Sequence, residues 1–225
     1  MAIKSGETTY HQAKRGIVQD GLVLNLDAGV DASYDGGTTW RDLEGGNNGT
    51  LTNGPTFDRD KGGSIVFDGS NDYVSTNFLP PVGTNPRTIS IWYKSDQTQT
   101  KNLLGWGSNS TWGLWDILLY QGKIGVHLHG SSNEAGATYI NNIWQNIVFT
   151  YTHPTIKSYM DGVYQTSYTN SAINTGSNFN LNIAKGNYSY FYFDGNISNV
   201  SIYNRALTAT EITQNYNVTR HRFGV

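Results

Sequence analysis

Three tryptophans and a tyrosine stand close together in a stretch that is otherwise rich in glycine and serine. They are Trp106, Trp112, Trp115 and Tyr120. Aromatic rings of this kind bind sugars, because the apolar C–H faces of a sugar stack on the ring while nearby amides and carboxylates meet its hydroxyls. We therefore predict a carbohydrate-binding site at these residues. The alternative is that one or two of the tryptophans belong to the core and the others pack a loop.

Two histidines follow the tryptophans: His127 and His129, with Glu134 a few positions further along. Side chains at positions i and i+2 of a strand point to the same face, so the two imidazoles should lie side by side. One interpretation is a metal centre that a carboxylate such as Glu134 completes. The other, which we adopt, is that both histidines line the predicted carbohydrate-binding groove.

Oxygen-rich turns offer ligands for a hard cation. Asp68, Asn71 and Asp72 stand in one such turn, and Asp194 begins another. Carboxylate and amide oxygens are the ligands that calcium prefers. No cofactor is required by the sequence, but a structural calcium ion at these four residues is one prediction. The alternative is that the aspartates only form hydrogen-bonded turns with their own backbone.

The acidic residues do not form a pattern typical of a glycoside hydrolase. Hydrolysis with retention needs two carboxyl groups about 5 Å apart on one face, as a Glu-x-Asp-x-Glu strand provides. The chain has only four glutamates, Glu7, Glu44, Glu134 and Glu211, and none belongs to such a strand. We therefore predict that the protein is not an enzyme, with a glycan hydrolase or lyase as the alternative.

Composition narrows the class of protein further. The chain has 225 residues with 26 glycines, 13% aromatic and only 14% charged residues, which is typical of many short strands joined by tight turns. A net charge of -2 predicts no nucleic-acid partner. No cysteine is present for disulfides. We also find no apolar stretch of the length of a signal peptide or membrane span, so we expect synthesis in a cytoplasm without membrane insertion.

Hydrophobic alternation predicts strands along most of the chain, including residues 22–27, 89–93 and 147–151. Thr208 and Glu211 have the spacing of a capping box, which predicts one short helix from Thr208 to about Tyr216. Residues 1–19 lack a sustained pattern. We therefore predict an N-terminal arm at 1–19, one domain at 20–216 and a polar tail at 217–225.

The block at 193–212, FDGNISNVSIYNRALTATEI, resembles the closing signature of laminin-G-like domains of the concanavalin A-like lectin and glucanase group. Further blocks resemble the same family in the expected order: GSIVFDGSNDYV at 63–74, TISIWYK at 88–94, WQNIVFTY at 144–151 and SYMDG at 158–162. The resemblance implies an all-β fold, a two-sheet antiparallel jelly-roll sandwich, with one short C-terminal helix. The function remains to be argued from the site.

Both ends of the chain, residues 10–29 and 216–225, resemble laminin-G-like structural proteins of marine tailed phages, especially cyanophages. This resemblance implies a virion structural protein on a capsid, tail or fibre, with other virion proteins as partners, a symmetric homo-oligomer or array, and cell-surface glycan as a further partner. A secreted adhesin module is the alternative. We expect the arm to dock on a virion protein through an assembly set of apolar and basic side chains: Ile3, Tyr10, Lys14, Arg15 and Ile17.

Overall fold

The computed structural model describes residues 16–131, 134–187 and 191–225. Sixteen strands of this part form two antiparallel sheets. In chain order the strands are β1 (Leu22–Asp27), β2 (Thr39–Trp40), β3 (Gly49–Thr52), β4 (Thr56–Asp58), β5 (Ser64–Asp68), β6 (Tyr73–Thr76), β7 (Arg87–Lys94), β8 (Lys101–Gly107), β9 (Leu114–Tyr120), β10 (Lys123–His127), β11 (Glu134–Thr138), β12 (Gln145–Thr152), β13 (Thr155–Met160), β14 (Val163–Thr169), β15 (Phe179–Ile183) and β16 (Asp194–Tyr203).

Each sheet has eight strands. The first sheet runs β14-β13-β12-β7-β16-β5-β4, and β1 also pairs with the C-terminal half of β16. The second sheet runs β11-β10-β9-β8-β15-β6-β3-β2. The predicted all-β sandwich of two antiparallel sheets is therefore confirmed. The region 28–55 is rich in glycine, asparagine and aspartate, which predicts a loop. It nevertheless contributes the short strands β2 and β3 to one edge of the second sheet.

The core lies between the two sheets and follows from the alternation in the sequence. Along β7, Ile89, Ile91 and Tyr93 point inward, whereas Ser90 and Trp92 point to the outer face. The dipeptides Gln121-Gly122 and Asp161-Gly162 each separate two strand-like runs, which predicts two hairpins, and both are present. Gln121 and Gly122 have φ of 50° and 75°, and Asp161 and Gly162 have φ of 52° and 78°, the left-handed pair that a two-residue hairpin needs.

A single α-helix in the described residues, α1 (Ala209–Thr219), packs on the outer face of the first sheet. It begins at the predicted capping box, in which Thr208 Oγ1 accepts from the backbone N–H of Glu211 and Glu211 caps Thr208 in return. Ile212 is buried against Leu207 and Tyr203. None of the described helices has the length and apolar character of a membrane span.

The chain beyond Tyr216 does not form the separate polar tail that the sequence indicated. The helix continues to Thr219, and Phe223 is buried against Trp92 with ring centres 4.1 Å apart. Arg222 forms a bidentate ion pair with Asp27, at N–O distances of 2.7 and 2.9 Å. The tail prediction failed because these partners are distant in sequence, so the polar composition of residues 217–225 does not reveal them.

The last residues of the predicted arm also pack on the domain. Ile17 and Val18 lie against the cluster around Tyr203, and the Tyr203 hydroxyl donates to the Val18 carbonyl over 3.0 Å. Ile17 is thus held by this chain itself. The other assembly residues, Ile3, Tyr10, Lys14 and Arg15, lie outside the described residues, so docking of the arm stays a prediction.

Candidate functional site on the outer face of the second sheet

Trp106 and Trp115 are not part of a sugar-binding surface, because both are completely buried between the sheets. They are paired across β8 and β9, with ring centres 5.7 Å apart. The guanidinium carbon of Arg87 lies 4.3 Å from the centre of the Trp115 ring. The prediction of a carbohydrate site at these two tryptophans is therefore wrong, since their side of the strands faces the core and a cation of the chain itself covers Trp115.

Arg87 is a fully buried cation without an ion pair among the described residues. Its guanidinium donates to the carbonyls of Pro81 and Gly83 and to the hydroxyl of Thr175. Burial lowers the pKa of Arg87 to about 9, so the group remains charged at neutral pH. Aromatic rings attract such a cation through their negative faces. The tryptophans thus stabilise an internal cation.

The remaining predicted sugar-binding residues do not converge on one site. Trp112 is half-buried against the core just before β9, and its backbone N–H donates to the carbonyls of Leu128 and His129. Tyr120 ends β9 and lies at the opposite end of that strand. Trp112 and His129 therefore belong to one end of the sandwich and Tyr120 to the other. A single groove that contains all six predicted residues is not present in the described part of the structure.

The outer face of β9 carries a buried carboxyl group that the sequence reasoning missed. Asp116 accepts a hydrogen bond from the side-chain amide of Asn102 over 2.9 Å. Its other carboxyl oxygen has no partner in the described part of the molecule. Burial raises the pKa of Asp116 to about 7, although hydrogen bonds from Asn187 and Asn102 oppose this effect. A carboxyl group of this kind changes its charge close to neutral pH.

Two glycines allow the chain to cover Asp116. A Cβ atom at Gly105 would lie 1.8 Å from Oδ1 of Asp116, and one at Gly186 would lie 2.6 Å from Oδ2. Only a residue without a side chain fits at either position. His127 lies opposite Asp116 across the β9–β10 pair and is half-buried, and burial together with His129 lowers the pKa of His127. The predicted role of His127 as a sugar ligand is not tested by these contacts.

An open depression of about 440 Å³ lies where β8 begins and β9 ends. Its aromatic members are Tyr120 and Phe191, of which Phe191 is 47% exposed. Hydroxyl, amide and ammonium groups complete its lining: Thr98, Gln99, Thr100, Lys101 and Gln121. We name these seven residues the aromatic depression. Of the six residues predicted to bind sugar, Tyr120 alone lines it.

Backbone pairing places Phe191 in the aromatic depression. The backbone N–H of Asn102 in β8 donates to the Phe191 carbonyl over 2.8 Å, so the chain before β16 runs beside the start of β8. The signal in the sequence was the aromatic run at 190–193, in a segment that also contains asparagine, serine and glycine. Such a mixture is typical of loops that bind ligands with rings and amides. Residues 188–190 lie outside the described part of the chain.

The predicted calcium ligands are only partly brought together. Asp68 and Asp194 are opposite each other across β5 and β16. However, the Asp68 carboxylate already accepts from the N–H groups of Ser70 and Asn71, and the Lys101 ammonium donates to the carbonyl of Gly69. Among the described residues, no three histidine or acidic side chains converge as a metal site. Calcium binding at Asp68, Asn71, Asp72 and Asp194 therefore stays a prediction, which melting with calcium or chelator would test.

The sequence matches the family model Laminin_G_3, described as the concanavalin A-like lectin/glucanases superfamily, over residues 68–213. This is more than half of the chain, so the protein belongs to that family. The family resemblance found in the sequence is confirmed. No curated protein matches the sequence.

Solved structures share the fold at low sequence identity. The receptor-binding domain of botulinum neurotoxin type G matches with a TM-score of 0.68 and 16% identity, over 88% of this chain and 51% of that chain. The serotype D domain in complex with N-acetylneuraminic acid matches with a TM-score of 0.67 and 13% identity, over 92% and 52%. Trypanosoma rangeli sialidase in complex with the inhibitor DANA matches with a TM-score of 0.66 and 16% identity, over 95% and 38%.

These likenesses concern the fold alone. The chain spans about half the length of the toxin chains and less than two fifths of the sialidase chain. The lectin-like fold is established. Among the matching structures it occurs in toxin receptor-binding domains and in a sialidase. The function of this chain must therefore be argued from its own aromatic depression.

Proposed function

We propose that this protein is a glycan-binding module of a tailed-phage virion and that the aromatic depression is its binding site. The observation that carries the proposal is the exposure of the Phe191 ring beside Tyr120, within a ring of amide and hydroxyl groups. A sugar presents an apolar face and a rim of hydroxyls, so both parts of the ligand find a matching group. No acidic side chain of the described residues lines the depression.

In this proposal the protein binds a glycan and does not hydrolyse it. Catalysis with retention needs two carboxyl groups about 5 Å apart that both reach the sugar. On the same sheet, Asp116 is covered by the chain and does not line the depression. Glu211 is engaged by Arg205 and by the capping box, far from this face. The complex of the serotype D toxin domain with N-acetylneuraminic acid adds support from a shared fold, although it concerns a different protein.

The test of glycan binding is a matched pair of phenylalanine variants on a glycan array. Phe191→Ala should reduce binding about tenfold or more, because an exposed aromatic anchor is removed. Phe179→Ala is the control, since Phe179 is also on the surface, 39% exposed, but lies at the far end of β8 next to Gly107. Binding by Phe191→Ala at the level of the control would contradict the proposal, as would a protein that binds no glycan on the array.

A virion location is the second part of the proposal. It is supported by the resemblance of residues 10–29 and 216–225 to structural proteins of marine tailed phages. On a particle, repeated copies would turn a weak single-site affinity into strong attachment. The test is to image purified particles by electron microscopy, with and without a tag on this protein. Deletion of residues 1–15, which keeps the packed Ile17 and Val18, should prevent incorporation if the arm docks on a partner, whereas normal incorporation would contradict docking through the arm.

A further inference from the structure

A second cavity, of about 400 Å³, lies on the opposite side of the sandwich from the aromatic depression. Its floor is the outer face of the first sheet, where β12, β7, β16 and β1 are neighbours. Its roof consists of α1 and the turn after it, through Asn215, Val218, Thr219, His221 and Arg222. We name this space the helix cavity. His221 is exposed, so the cavity meets solvent at the C-terminal turn.

The floor of the helix cavity consists mostly of polar side chains, with Trp92 and Tyr203 among them, which is unusual for a sheet face beneath a helix. Strand register places Ser90, Ser201 and Asn25 in one row across the sheet. The next row contains Asn146, Asn199 and Asp27. A helix normally buries an apolar stripe against a sheet. Because burying polar side chains costs free energy unless each finds a partner, this floor is not explained by packing of the helix.

Several of these polar groups bond to each other and to backbone carbonyls of the same sheet. Asn199 donates to the Asn25 side-chain oxygen and to the Leu26 carbonyl, and Ser201 reaches the same Asn25 oxygen. Asn146 donates from its amide to Ser90 Oγ and to the Ile91 carbonyl. These bonds hold the floor in a fixed arrangement. The floor is therefore built before any ligand arrives.

Two atoms of the floor have no hydrogen-bond partner among the described residues. They are the side-chain NH₂ of Asn25 and Oδ1 of Asn146. The Ser90 hydroxyl accepts from Asn146, and its own hydrogen remains available for donation. The three residues are only 5%, 2% and 8% exposed. The two free amide atoms are not enclosed by protein, and all three residues line the helix cavity. An amide donor, an amide acceptor and a hydroxyl group thus lie around one small space.

Charge and shape restrict what can enter. Arg222 and Asp27 neutralise each other through two hydrogen bonds at one end of the cavity. The Trp92 ring is buried and already stacks with Tyr216 and with Phe223, at centre distances of 5.7 and 4.1 Å, so it offers no free stacking surface. The site therefore favours an uncharged, compact molecule that both donates and accepts hydrogen bonds. Hydroxyl groups have this property.

We propose that the helix cavity binds a small neutral polyol of monosaccharide size. Its volume is in the range of small-molecule sites, about 300 to 1,000 Å³. Asn25 and Ser90 donate to the ligand and Asn146 accepts from it. This site is separate from the aromatic depression, because the two lie on outer faces of different sheets.

The test uses glucose, galactose, mannose, N-acetylglucosamine and glycerol as probes. The indole N–H resonance of Trp92 reports on the cavity, since it donates to Thr219 in the roof. At least one probe should shift this resonance in a saturable manner in wild-type protein. Ser90→Ala should weaken that binding about tenfold, because one donor is lost while Asn146 keeps its bond to Ile91. Val218→Phe should abolish it by filling the cavity from the roof.

Two control variants distinguish binding in the helix cavity from binding elsewhere on the protein. Ser167→Ala removes an exposed serine of β14, and Phe191→Ala disables the aromatic depression. Both variants should bind the probe as wild type does. The proposal is overturned if no probe shifts the Trp92 resonance, or if Ser90→Ala and Val218→Phe both bind as wild type. Loss of binding in Phe191→Ala would also overturn it and would assign the probe to the aromatic depression.

Discussion

Two aromatic clusters of this protein use the same kind of side chain for different purposes. Inside the sandwich, Trp106, Trp115 and Tyr151 surround the guanidinium of Arg87. On the outer face of the first sheet, Trp92 stacks with both Tyr216 and Phe223. In both clusters, groups of the same chain occupy the ring faces. The exposed Phe191 ring lies outside both clusters, in the aromatic depression with Tyr120, so a large number of tryptophans does not indicate where a ligand stacks.

The clusters also differ in what they stabilise. The inner cluster is part of the core and holds a buried cation that connects β7 to Pro81, Gly83 and Thr175. The outer cluster holds the C-terminal segment against the first sheet, because the Trp92 indole N–H donates to Thr219 over 2.9 Å and Phe223 packs on the Trp92 ring. Disruption of the inner cluster should therefore affect the whole domain. Disruption of the outer cluster should mainly release the C-terminal segment.

The largest effect is expected for Trp115→Ala. Removal of a fully buried tryptophan costs roughly 3–5 kcal/mol of unfolding free energy, and here it also removes a ring from Arg87. Urea unfolding monitored by circular dichroism measures this loss. Trp112→Ala is the matched control and should lose much less, because Trp112 is only half-buried. Equal losses in the two variants would contradict the assignment of Trp115 to the core.

The second effect concerns Asp116, which contrasts with Arg87 as a buried group that gives up its charge. Its pKa is about 7 in the folded protein and the ordinary value is 3.8, so the folded state binds more protons between these limits. Stability contributed by the neutral carboxyl is complete below about pH 4 and is lost as pH rises to about 7. At about 1.4 kcal/mol per pH unit, the loss is on the order of 4 kcal/mol.

Asp116→Asn should remove this pH dependence. The variant is expected to be more stable than wild type at pH 8, and the gain should shrink as pH falls towards 4.5. Melting temperatures of both proteins across this range measure the difference. His127 faces the same position and titrates in both proteins, so its contribution largely cancels in the comparison. Parallel curves for the two proteins would contradict the raised pKa of Asp116.

A smaller, local effect is expected for Phe223→Ala. Loss of the contacts with Trp92 and Trp144 should cost about 2 kcal/mol, less than a substitution in the core, because the ring lies outside the sandwich. Hydrogen exchange should increase across residues 209–225 while the amides of β7 and β12 stay protected. If exchange instead increases throughout both sheets, the outer cluster stabilises the whole domain and not only the C-terminal segment.

The smallest effect on stability is expected for Phe191→Ala. An exposed ring that makes few contacts should change the unfolding free energy by less than about 0.5 kcal/mol. Urea unfolding beside wild type measures this change. A loss comparable with that of Phe223→Ala would mean that the Phe191 ring supports the fold and is not free for a ligand.

The sequence by itself determined the local elements and the family. Hydrophobic alternation predicted the strands β7 and β12, and the dipeptides Gln121-Gly122 and Asp161-Gly162 predicted two hairpins. The capping-box spacing of Thr208 and Glu211 predicted the start of the helix. These features depend on neighbours within a few positions, which is why they can be predicted from the chain alone. Family resemblance then supplied the two-sheet sandwich.

Only the tertiary structure decided which side chains are open to a ligand. Both faces of β8 and β9 carry buried residues, so the pattern did not tell which way Trp106 and Trp115 point. Asp116 is covered by Gly186, and Trp92 by Phe223, although each pair is more than sixty positions apart. Burial depends on contacts between distant segments, and those contacts are set by the order of strands in the sheets, which no local pattern of residues contains.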